Sequence, residues 1–191
     1  MLRKNAVMLA IIALVAFATP VAGQQSTEDV EAASKDYFTD TQLLTQDGEE
    51  VRFYSDVLKD QIVVINFIFT NCQGACPMMT QKLRIARDSL DAEVANKIRF
   101  VSISIDPERD TPEAMRKFAE KQHADGDWVF LTGARENIDL VVKKLGQYYP
   151  DVDEHSTLMI AGNVKTRLWM KLPPQLSPAG VAEKLRDLVD G

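Results

Sequence analysis

Apolar and polar positions along this chain follow two periods, and the change from one to the other marks its elements. Over 61–70, Ile62, Val63, Val64, Ile65, Phe67, Ile68 and Phe69 follow one another almost without a polar break. A short run so rich in β-branched and aromatic residues predicts a strand buried on both faces, as central parallel strands are. After Pro77 the period lengthens: Met79, Leu83, Ala86 and Leu90 recur at helical spacing with Lys82, Arg84, Arg87 and Asp88 between them, which predicts an amphipathic helix. A second strand is predicted over 98–105, IRFVSISI. Thr111-Pro112 then starts a helix, with Thr as N-cap and Pro at the first helical position, that buries Met115, Phe118 and Ala119. A short strand over 128–131 and a helix whose apolar face is Ile138, Val141, Val142 and Leu145 follow.

Two hairpins flank this middle. Leu43-Leu44 and Val51-Arg52-Phe53 are separated by Asp47-Gly48, where the glycine supplies the positive φ of a tight turn. The ranges 157–161 and 164–170 flank Gly162-Asn163 as a second predicted hairpin. Pro173-Pro174 then breaks the chain, and Ser177-Pro178 caps a last helix that buries Val181, Leu185, Leu188 and Val189. Hairpin, strand-helix-strand, further helix and strand, helix, antiparallel hairpin and closing helix form the α/β order of a thioredoxin-like three-layer fold with an N-terminal β-hairpin and an insertion. No internal repeat is visible.

The first residues follow a different pattern. Arg3 and Lys4 precede an apolar run over 6–18, then Thr19-Pro20-Val21-Ala22-Gly23 and the polar Gln24-Gln25. This is the charged, apolar and small-residue sequence of a secretory signal, and with no cysteine in it, not of a lipoprotein signal. Its apolar part is short of the roughly 20 residues a spanning helix prefers, which favours cleavage; uncleaved, 6–23 would tether the domain to the membrane. The expected organisation is 1–23 signal peptide or membrane anchor, 24–36 linker, and 37–191 a single domain, exported and periplasmic. In an oxidising compartment two neighbouring thiols close into a disulfide unless they are kept reduced or metallated.

Composition narrows the partners. At 191 residues and 46% hydrophobic, the chain can bury one proper core. A formal charge of −6 argues against nucleic acid, whose phosphates need clustered Lys and Arg. With only two cysteines and two histidines, soft and imidazole ligands are limited to Cys72, Cys76, His123 and His155, which excludes a four-cysteine zinc site.

Both cysteines lie in one loop between the first central strand and its helix. Helix N-terminal N–H groups and the helix dipole favour a thiolate, the reactive and the metal-binding form. Three intervening residues permit a redox-active disulfide, a structural disulfide, or two sulfurs directed at one ion. His155 discriminates among them, because in a thioredoxin-like fold the loop before the strand at 157–161 faces the helix start that carries the cysteines. Two thiolates and one imidazole form a soft, low-coordinate set suited to copper, where zinc would need a fourth ligand. His123, in a polar loop, is expected at the surface. Asp106, after the second central strand, is a candidate to hydrogen-bond the cysteine loop or a ligand. Met78 and Met79 are thioethers beside Cys76, but Met79 belongs to the helix stripe and is expected in the core.

Thr70-Asn71-Cys72-Gln73-Gly74-Ala75-Cys76-Pro77, the DPERDTP run over 106–112, Trp128-Val129-Phe130-Leu131-Thr132-Gly133 and His155-Ser156 together resemble the Sco/SenC family in order and spacing. The resemblance covers roughly 40–190. It implies a thioredoxin-like fold outside the cytoplasm and copper, Cu(I) or Cu(II), bound through Cys72, Cys76 and His155. It also implies a role in assembling the binuclear copper site of cytochrome c oxidase, with the copper-receiving oxidase subunit and a thiol reductant as partners. The chain departs from many members at Gln73-Gly74 and at Glu154, which bears on copper affinity and reduction potential rather than on fold. The competing function is a thiol:disulfide oxidoreductase that reduces cysteines of a periplasmic partner through Cys72 and Cys76. A peroxidase ranks last, because no Arg or Thr constellation accompanies either cysteine.

Overall fold

A computed structural model describes residues 27–151 and 156–191. The signal or anchor expected over 1–23 and the first residues of the expected linker lie outside the described residues. Among the described residues the strands form one seven-stranded sheet in the order β2-β1-β5-β4-β3-β6-β7. Beside its middle strand β4 (Ile98–Ser104) lies β3 (Ile62–Ile68), which pairs parallel with β4 and antiparallel with β6 (Met159–Asn163).

Strand periodicity makes the three layers. Val64 and Ile68 of β3, with Ile98 and Phe100 of β4, face a core shared with α2 (Ala75–Asp88), the short α3 (Ala92–Ala95), α4 (Pro112–Gln122) and α6 (Pro178–Asp190). Val63, Ile65 and Phe67, with Val101 and Ile103, face a second core under α1 (Thr27–Phe38), a π-helical segment at Phe53–Leu58, and α5 (Arg135–Lys144). Both faces of β3 are therefore apolar because both are covered, as the unbroken run over 61–70 required. One polar rung interrupts the first core: Trp128 Nε1–H donates to Ser102 Oγ at 2.9 Å, and Ser102 Oγ–H donates to Asn66 Oδ1 at 2.7 Å. Asn66 and Ser102 are register partners, so the two strands present them side by side.

The first hairpin forms as expected between β1 (Gln42–Thr45) and β2 (Glu50–Arg52), with Gly48 at φ 80°. β1 also pairs antiparallel with β5 (Trp128–Thr132) and so joins the hairpin to the main sheet. Thr111 caps α4 through Ala114 N–H, and Ser177 caps α6 through Gly180 N–H, each followed by Pro at the start of the helix.

Three sequence expectations move. Residues 27–38, expected largely as linker, form α1, which buries Phe38 against Trp169 with ring centroids 5.0 Å apart. Phe53, expected at the end of a strand, instead begins the π-helical segment and is fully buried. The second hairpin does not turn at Gly162-Asn163. Both residues lie inside β6, and the chain turns over 164–167 before β7 (Leu168–Leu172). Asn163 Oδ1 accepts from the N–H groups of Lys165 and Thr166, so it supports the turn from the strand end. Among the described residues no helix is long and apolar enough to cross a membrane.

Candidate metal centre

The cysteine loop begins where β3 ends. Ile105 N–H donates to Ile68 O at 2.9 Å, and the Cys72 N–H donates back to Phe69 O at 3.1 Å, which turns the chain over the C-terminal edge of the parallel strands. Gln73 and Gly74 are exposed, Cys72 is half-buried and Cys76 is buried. Helix α2 starts at Ala75, two residues before Pro77, so Cys76 lies in its first turn.

That helix start has no capping side chain at Gly74 and no acidic residue in its first turn. A helix N-terminus leaves backbone donors that need acceptors. Here the acceptor is sulfur: the Cys76 N–H donates to Cys72 Sγ at 3.3 Å. The two cysteines are thiols, not joined in a disulfide. Their acidities are set apart. Burial works against ionisation of Cys72, but hydrogen bonds from the Cys76 backbone and thiol and from the Gly74 and Ala75 backbone outweigh it and hold the thiol below its ordinary range. Cys76 is pushed up to about 12, first by burial and then by its hydrogen bond and charge contact with Cys72 and by the charge of Asp110, against one backbone hydrogen bond with Phe69. One thiol is poised to be a thiolate, and the other holds its proton until something replaces it.

The acidic run after β4 divides its labour differently from the sequence expectation. Asp106 is buried, but its carboxylate faces two cations: Arg109 at 3.0 Å and Arg135 at 3.5 Å. The bonds to the cysteine loop come from Asp110. Its Oδ1 accepts the Thr70 N–H at 2.9 Å and the Thr70 hydroxyl at 2.6 Å, and its Oδ2 accepts the Ser104 hydroxyl at 2.6 Å. Burial raises the Asp110 carboxyl, the bonds from Ser104 and Thr70 oppose the rise, and the charge of Asp106 adds to it. Sequence reasoning passed over Asp110 because the residues after it, Thr111-Pro112, are fully explained as a helix cap. The signal available was a further acid, two residues past Glu108 and within about one turn of Asp106.

The remaining candidates separate plainly. Met79 is buried in the α2 stripe and packs the core, while Met78 is exposed. His123 closes α4 in the left-handed region at φ 52°. His155 lies outside the described residues. Its described neighbour Ser156 accepts the Leu158 N–H at 3.0 Å just ahead of β6. Because β6 runs antiparallel to β3, its first residue, Met159, is at the sheet edge where β3 releases the cysteine loop. Among the described residues no group of three His, Cys, Asp or Glu forms a metal cluster. Two sulfurs of unequal acidity at one helix start can therefore serve as two ligands of a soft ion, or as attacking and resolving thiols in exchange.

A family model described as SCO1/SenC matches residues 29–190. The SCO1 protein homolog of Bacillus subtilis is 42% identical over 89 residues, which is 46% of this chain and 45% of that relative, so the match spans less than half of the relative's length. The structure of Bradyrhizobium japonicum ScoI with copper bound is 26% identical with a TM-score of 0.61, covering 77% of this chain and 96% of that one. BsSco, described as a member of the Sco family of cytochrome c oxidase assembly proteins with a disulfide switch, is 25% identical with a TM-score of 0.66, covering 80% and 93%. The seven-stranded sheet with helices on both faces is thus the thioredoxin-like fold of the Sco structures.

Proposed function

The chain belongs to the SCO1/SenC family, and we propose that it is an exported copper-binding assembly factor that holds copper through Cys72, Cys76 and His155 and passes it to the copper-receiving subunit of cytochrome c oxidase. The observation that carries this reading is the reduced cysteine pair at the start of α2, with Cys72 Sγ already accepting the Cys76 N–H. Soft thiolates select Cu(I), and an imidazole extends the set to Cu(II). The copper-bound Bradyrhizobium relative and the oxidase-assembly description of BsSco support both halves of the proposal.

Copper is cargo here, and the unequal thiols suit loading and release. Cys72, whose thiol is held below its ordinary range, gives up its proton to a metal more readily than Cys76, whose thiol is held well above that range. Uptake is therefore proton-coupled. Return of that proton favours release, so an acceptor whose thiols are already ionised can take the ion by stepwise ligand exchange. The thiol:disulfide oxidoreductase reading would use the same Cys72 as nucleophile and Cys76 as resolving thiol; the copper-bound relative favours the metal reading over it.

Copper transfer tests the proposal. The copper-loaded protein is mixed with the reduced, metal-free copper domain of an oxidase subunit, and the absorption of a binuclear copper site is followed. Appearance of that absorption with loss of copper from the donor is the expected result. If the reduced domain gains no copper, and the metal-free reduced protein instead converts the disulfide of an oxidised oxidase domain to thiols as its own Cys72–Cys76 disulfide forms, the oxidoreductase reading replaces this one.

A further inference from the structure

Asp110 is fully buried, and the copper reading gives it no task. A carboxylate taken out of water is tolerated where its oxygens are bonded, so the partners that hold it reveal what it holds in turn. Both Thr70 donors converge on one oxygen, and Ser104, the last residue of β4, occupies the other. Thr70 is where the chain leaves β3, two residues before Cys72. The Asp110 N–H donates to Asp106 O at 2.9 Å, and the Asp106 N–H donates to Ser104 Oγ at 3.1 Å, so the turn carrying the carboxylate is itself closed. Beyond the backbone bond from Ile105 to Ile68, a side chain thus supplies the next tie between the two central strands.

We propose that Asp110 is the positioning residue of the cysteine pair: by pinning Thr70 to the end of β4 it fixes where the loop departs. It thereby fixes where the Cys72 sulfur stands against the first turn of α2. It touches neither copper nor a partner thiol. The consequence reaches any chemistry of the pair, since closing the Cys72–Cys76 bond requires the two sulfurs to meet from that fixed departure point. The proposal concerns the site of the copper reading and rests on it only where metal is measured.

The test is the dithiol–disulfide equilibrium of the full chain in buffers of reduced and oxidised dithiothreitol. There the pair gives two electrons and two protons to oxidised dithiothreitol as its own S–S bond forms. Asp110→Ala, which removes both Thr70 bonds, should shift the equilibrium constant by about tenfold, as loss of hydrogen bonds to a charged acceptor implies, and Thr70→Val, which removes the hydroxyl bond and keeps the backbone one, should shift it in the same direction by a smaller factor above about twofold. The double variant should shift it no further than Asp110→Ala alone, because the hydroxyl bond lost in Thr70→Val is already lost in Asp110→Ala. Asp110→Asn keeps an acceptor oxygen for Thr70 and should stay near wild type. Constants within about twofold of wild type in both Asp110→Ala and Thr70→Val would overturn the proposal, as would equal shifts in the Asn and Ala variants. If Asp110→Ala does not fold, Thr70→Val carries the test alone. Failure of the wild type to bind copper would remove the copper reading while leaving this equilibrium to decide the role of Asp110.

Discussion

The Cys76 N–H points at the sulfur of Cys72 across 3.3 Å, so a cysteine two residues before the N-cap Gly74 supplies the acceptor that a capping Ser, Thr or Asp side chain supplies at other helices. The same bond helps draw Cys72 toward the thiolate while Cys76 keeps its proton. Replacing Cys72 with Ala should cost about 0.5–2 kcal/mol, the usual range for a lost cap, and Cys72→Ser should recover part of it. In the reduced protein at neutral pH, iodoacetamide should label Cys72 and spare Cys76. Peptide mapping checks the order, and preferential labelling of Cys76 would contradict it.

A second consequence appears in alkali. Cys76 has its folded pKa raised to about 12 from an ordinary value of 9.0. Between those values the unfolded chain gives up this proton and the folded chain keeps it, so the stabilising effect is complete below the ordinary value and is lost as pH rises toward about 12. The slope is at most about 1.4 kcal/mol per pH unit for one group. Urea unfolding of wild type and Cys76→Ser at pH 8 and pH 10.5 reads the difference. The wild type should lose more stability than the variant, and parallel losses would count against the raised thiol.

Gly162 lies flat beneath Trp169. A Cβ at this position would meet ring carbons of Trp169 at 2.2 to 2.6 Å, and the ring is held from the side by Phe38. Gly162→Ala should therefore destabilise by about 1–3 kcal/mol through overpacking. Adding Trp169→Ala should relieve the clash, so the two changes together should cost less than their sum. Thermal unfolding of the single and double variants checks this.

The same glycine shows where the sequence pattern stops being readable. Gly162-Asn163 has the form of a two-residue hairpin turn, but its glycine serves ring packing within β6 and its asparagine braces a turn one residue later. Local composition cannot distinguish a glycine that turns the chain from one that makes room for a distant ring. The acids over 106–110 posed a similar problem. Which one reaches Thr70 depends on the direction of a closed turn, and Arg135, from another element, claims Asp106. By contrast, the central strands and both cysteine positions were legible because unbroken β-branched runs and a loop leading into a helix are local signals. The layered fold followed from their order.

Helix α1 was not legible as part of the fold, since Thr27–Phe38 is mostly polar and, over its described side chains at 28–38, only Phe38 is buried. Phe38→Ala should cost about 3–5 kcal/mol if the helix end belongs to the folded unit, as its contact with Trp169 indicates. Denaturant unfolding gives the number. A cost below about 0.5 kcal/mol, the scale of surface changes, would show that this end does not belong to the cooperative fold.

The central claim, that Cys72, Cys76 and His155 together hold copper, is tested most directly by titrating the reduced protein with copper beside Cys72→Ser, Cys76→Ser and His155→Ala. One tightly bound ion per wild-type chain is expected. With Cu(II), a thiolate-to-copper absorption band should be lost in each cysteine variant and lost or strongly shifted in His155→Ala. Wild-type binding no tighter than that of a simple dithiol, with His155→Ala unchanged in affinity and spectrum, would contradict it.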